Sequence, residues 1–71
     1  MTGGLIEIIL NGERTRVPPD LTVSALLSRL EIEADRVAVE LNKAIVRKRD
    51  WDSTGVPDGS RIEVVQFVGG G

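Results

Sequence analysis

The chain closes on Phe67-Val68-Gly69-Gly70-Gly71, an apolar run followed by three glycines and a carboxylate. Glycine has no Cβ, so such a segment can thread a channel too narrow for any side chain. The terminal carbonyl of Gly71 would then reach another protein's active site while the folded body stays outside. No other group competes for that chemistry, because the sequence has no cysteine and no histidine. It therefore lacks a thiolate nucleophile, an imidazole base and a soft-metal site. Aspartate and glutamate remain, but no pair of them is flanked by the apolar sequence that tunes a carboxylate for acid–base work. An independent enzyme is not expected, and no cofactor or metal is called for. A glycine tail can also be an inert chain end, so the elements before it decide.

Seventy-one residues make one domain, and a chain of that size buries only about 60% of its unfolded surface. With no disulfide or zinc to staple it, stability must come from regular elements around an aliphatic core. Hydrophobic residues make up 41% of the chain, enough for that core, and the only aromatics are Trp51 and Phe67. Eleven acidic residues against nine basic ones give a net charge of −2, which argues against nucleic-acid binding. There is no signal-peptide pattern, and no run approaches the roughly 20 apolar residues that span a bilayer. The cytoplasm is the expected location.

Leu5 to Leu10 reads as a strand and Asn11-Gly12 as a tight hairpin turn, since both residues tolerate positive φ. The return strand, Glu13 to Val17, alternates charged and polar residues, as an edge strand does. Thr22 is placed as an N-cap, and Val23, Leu26, Leu27 and Leu30 form one buried helical stripe ending near Glu31. Val37, Val39 and Leu41 share one face of a third strand. Asn42-Lys43 turns into a short fourth strand, Ala44 to Val46. Arg47-Lys48-Arg49 reads as a solvated edge, and Trp51 as a plug beneath the turn-rich loop that follows. Arg61 to Val68 is the last strand, with Ile62 and Val64 on one face and Glu63, Val65 and Phe67 on the other. A hairpin, a crossing helix and a returning strand predict an α+β, ubiquitin-like β-grasp with four to five strands. The first and last strands should run parallel at its centre, with the helix on one face.

The stretches Val37 to Val46, Trp51 and Asp58-Gly59-Ser60 through Gly71 resemble the sulfur carriers of thiamine biosynthesis, the ThiS family. So does the opening, with its short apolar strand, Asn11-Gly12-Glu13, Thr22-Val23 and Leu26-Leu27. The chain departs from the family pattern at Arg47-Lys48, where proline and arginine are common, and at Ser60, often an aspartate. The resemblance implies that a ubiquitin-activating-like adenylyltransferase adenylates the Gly71 carboxylate. Sulfur from a protein persulfide donor then replaces AMP, and the thiocarboxylate donates sulfur to thiazole synthase. On this reading residues 1–71 are one carrier domain with a flexible tail at Gly69, Gly70 and Gly71, which threads the partners' active sites. Carriers for molybdopterin, tRNA thiolation or cysteine, a ubiquitin-like modifier and a plain binding module are the alternatives.

If Ile6, Ile8 and Leu10 face the helix, then Leu5, Ile9, Val65 and Phe67 share the opposite face. They are expected to form one apolar patch that, with Val68, docks the adenylyltransferase and the synthase in turn, Phe67 being the anchor. A register shifted by one residue would invert the faces, and a homo-oligomer would cover them.

Overall fold

The computed structural model describes residues 4–67. Five strands form one sheet in the order β2-β1-β5-β3-β4. They are β1 (Ile6–Leu10), β2 (Glu13–Val17), β3 (Val37–Leu41), β4 (Ala44–Val46) and β5 (Arg61–Gln66), with helix α1 (Val23–Arg29) between β2 and β3. β5 lies at the centre, parallel to β1 and antiparallel to β3. This is the β-grasp arrangement expected from the element order, with β2 at one edge.

Two hairpin turns fix the register, and each is built on an asparagine. Asn11 and Gly12 have φ of 50° and 85°, and Asn42 and Lys43 have 52° and 73°. Positive φ at both central residues matches the twist of the flanking strands. Each asparagine has a second task. Asn11 Oδ1 accepts from Val64 N–H at 2.8 Å, and Asn42 Oδ1 accepts from Arg61 N–H at 2.9 Å. Both turns are thereby tied to β5, the strand that leads to the C-terminus.

Thr22 caps α1 as expected, its hydroxyl accepting from Ala25 N–H at 3.1 Å. The helix ends when Glu31 adopts φ of 59°. The Ile32 N–H then returns to Leu27 O and the Glu31 N–H to Ser28 O, both at 3.0 Å. That pair of bonds satisfies carbonyls the helix end would leave open, and it folds Ile32 back toward the core. Val23, Leu26 and Leu27 are buried against Ile8, Val17, Val37, Val39, Val56 and Ile62.

Trp51 completes the core from below, at 3% exposure. The polar run expected to be only a solvated edge contributes to a 3₁₀ segment, Lys48–Ser53, that carries Trp51 inward. Its indole N–H donates to Val46 O at 2.8 Å. Ser60, a departure from the family pattern, is buried, and its hydroxyl donates to Pro57 O at 2.6 Å. It closes the turn before β5, and no buried side-chain nitrogen or oxygen is unpaired among the described residues.

Candidate functional site: the open sheet face beside the C-terminus

Alternation along β5 places Ile62 and Val64 toward the helix and leaves Val65 and Phe67 exposed at 55% and 58%. The face assignment therefore follows the sequence reading. The backbone stays in the sheet up to Phe67, whose N–H donates to Arg36 O at 2.7 Å. Val68, Gly69, Gly70 and Gly71, which carry the expectations for the tail, lie outside the described residues.

The β1–β5 register changes the composition of the patch. Ile9 is level with Arg61, so Val65 lies four residues further along, about 13 Å at the usual strand rise. Leu5 lies as far in the other direction. Leu5 and Ile9 thus share a face with Val65 and Phe67 without adjoining them. Around Ile9 the face is charged, with Arg14 opposite it across β2 and Arg16 opposite Glu7.

Two other residues adjoin the tail-proximal pair. Ala38 is directly across from Val65, and Ile45 is across from Glu40 on β4. Ile45 is 73% exposed and sits diagonal to Ala38, within reach on one face of a sheet. Ile45, Ala38, Val65 and Phe67 therefore form an apolar strip running to the point where the chain leaves the sheet. Sequence reading passed over Ala38 and Ile45 because their position depends on the β3–β5 and β3–β4 registers, which periodicity does not set.

A charged row borders the strip. Glu40 and Glu63 are cross-strand partners, a like-charge pairing that destabilises an isolated sheet. Lys43 and Arg61 line the same cleft of about 250 Å³ and offset that repulsion. Elsewhere, the Lys48 ammonium is hydrogen-bonded to the Asp35 carboxylate and holds that carboxyl below its usual range. Both groups are exposed, so solvent screens the pair.

No group of three or more acidic, cysteine or histidine side chains could hold a metal among the described residues. A concavity of about 570 Å³ is lined by Ile6, Leu21, Val56 and Pro57, at the end of the sheet away from Phe67. No described helix is long and apolar enough to cross a membrane. What the site can do is present: it holds an apolar strip where β5 leaves the sheet at Phe67.

Comparison with known proteins assigns that arrangement. Residues 3–71 match the ThiS family, a span that includes the three terminal glycines. The sulfur carrier protein ThiS of Bacillus subtilis is 38% identical over 63 residues, covering 87% of this chain and 96% of that protein. A thiazole synthase of Paramagnetospirillum magneticum is 39% identical over 66 residues, 93% of this chain but 20% of that protein. The chain thus spans about one fifth of that relative's length. The crystal structure of the thiamine biosynthesis protein ThiS from Geobacter metallireducens superposes with a TM-score of 0.83 at 36% identity, covering 93% of this chain and all of that one. Topology, a strand that runs into terminal glycines and these likenesses agree: the chain belongs to the ThiS family, the β-grasp sulfur carriers of thiamine biosynthesis.

Proposed function

We propose that the Gly71 carboxylate is the covalent sulfur site, and that the loaded protein delivers sulfur to a thiazole synthase. The observation that carries this reading is where β5 leaves the sheet. A centrally paired strand, held in the sheet to Phe67, ends on an apolar strip, and the sequence continues from there through Val68 to three glycines.

A carboxylate is a poor electrophile, so activation must come first. An ATP-dependent partner joins the Gly71 carboxylate to AMP and releases pyrophosphate. A protein persulfide displaces AMP to give an acyl disulfide. A second partner thiol attacks its outer sulfur, forming a disulfide on the partner side and releasing the thiocarboxylate, since this chain has no cysteine of its own. That group is a strong nucleophile, held covalently and kept from diffusing away. The chain supplies the handle and its partners supply nucleotide binding and catalysis, the division of labour of group carriers. The Paramagnetospirillum relative supports the synthase as recipient, since one polypeptide there bears the name thiazole synthase and contains a region similar to this chain.

The test is to load the tail with radiolabelled sulfur and supply thiazole synthase with its other substrates. Label is expected in the thiazole product. Label that moves instead to molybdopterin or tRNA would assign a different recipient. Stable conjugates on protein lysines would identify a modifier.

A further inference from the structure

The two edges of β5 are treated differently. Its odd-numbered backbone groups bond toward β3 along the strand, from Asn42 N–H to Arg61 O through Phe67 N–H to Arg36 O, both 2.7 Å. Its even-numbered groups face β1. Ile9 N–H donates to Ser60 O at 2.8 Å and Asn11 N–H to Ile62 O at 2.9 Å. The Asn11 side chain then accepts from Val64 N–H. There this ladder stops, because β1 ends at Leu10, level with Ile62. The Val64 C=O and both backbone groups of Gln66 face a side of the sheet where no strand lies opposite among the described residues.

Open edges invite pairing, and proteins usually guard them with charge or proline. The β2 edge follows that rule with Glu13, Arg14 and Arg16. Val64 to Phe67 carry neither charge nor proline. Beside this edge lies a cleft of about 320 Å³, floored by Ile32, Val37 and Val64 and rimmed by Glu31 and Glu33. A strand laid along the edge would alternate its side chains. One would enter the cleft, and its neighbours would turn to the open face beside Val65 and Phe67.

We propose that the overhang of β5 past β1 is a strand-addition site, occupied by an extended segment of the enzyme that adenylates the tail. The segment places an aliphatic side chain on the Ile32–Val37–Val64 floor and a basic residue near Glu31 and Glu33. Main-chain hydrogen bonds supply affinity, and the cleft selects the side chain. This rests on the reading that a partner takes the tail. It adds how the residues before the glycines are aligned, because a chain held in register on both edges leaves the sheet in one direction.

Amide hydrogen exchange tests the proposal without altering the protein. In the free chain the Phe67 amide, bonded to Arg36 O, is expected to exchange slowly and the Gln66 amide quickly. Adding the adenylating enzyme with ATP is expected to slow Gln66 exchange at least about tenfold, the effect of one new hydrogen bond. Gln66→Pro deletes that donor on a side where proline fits a strand. It should raise the KM for adenylation about tenfold with kcat retained, while Gln66→Ala, which keeps the N–H and trims only the side chain, should raise it clearly less. Adenylation of the wild type without Gln66 protection, or Gln66→Pro behaving like Gln66→Ala, would overturn strand addition and leave the carrier function standing. Protection that grows with concentration of the free protein would assign the edge to a second copy and also overturn it. A wild type that is not adenylated at all would remove the carrier reading itself.

Discussion

Phe67→Asp is expected to leave the fold intact and to cut adenylation of the tail about a hundredfold or more. The side chain is 58% exposed and outside the core, so a charge there disturbs no internal packing. Its backbone bond to Arg36 does not involve the side chain. In the proposed complex the ring is the only aromatic on the apolar strip, and aromatic anchors at interface centres cost about 2–4 kcal/mol when lost. That range spans factors of about thirty to a thousand in kcat/KM. The register supplies an internal control. Leu5, nearly as exposed at 57%, lies at the far end of the same face, so Leu5→Asp should change kcat/KM less than about threefold. Steady-state kinetics at fixed activating enzyme check both. Equal losses from the two variants would mean that the whole face docks as one surface; no loss from either would dismiss docking through it.

The largest stability effect is expected at Trp51. Truncation to alanine empties the space beneath the helix and orphans the Val46 carbonyl that the indole N–H now satisfies. Buried Trp→Ala changes cost about 3–5 kcal/mol, against a total stability of about 5–15 kcal/mol for ordinary domains. For a chain this short each kcal/mol is worth about 4–8 °C, so Trp51→Ala should lower Tm by about 15 °C or more. Trp51→Phe keeps much of the volume but still orphans the carbonyl, and should fall between. Thermal denaturation followed by circular dichroism measures all three. A Trp51→Ala Tm within a few degrees of wild type would show that Trp51 is not a core element.

Most of the architecture was legible in the sequence because its signals are local. Asn11-Gly12 needs positive φ, Thr22 needs a free helical N–H, and Leu26 and Leu27 sit one helical turn on from Val23. Each states its own geometry. The 3₁₀ segment Lys48–Ser53 was hidden because polar and charged residues carry it, and only Trp51 turns inward. The candidate site was half legible. Alternation assigned Leu5, Ile9, Val65 and Phe67 to the right face, but which of them touch depends on how far β5 slides along β1. Nothing in either strand's own pattern specifies that offset. It is set by Asn11 and Asn42 gripping β5 at Val64 and Arg61, and these side-chain bonds span long stretches of chain. Ala38 and Ile45 joined the strip for the same reason.

Whether Gly71 carries the sulfur is read from the intact mass of the protein after incubation with ATP, a sulfide source and a cognate activating enzyme. One oxygen is expected to be replaced by one sulfur, and the change should disappear when Gly70 and Gly71 are deleted. An unchanged mass with an enzyme known to be active, or the same gain in the truncated chain, would contradict Gly71 as the sulfur-bearing residue.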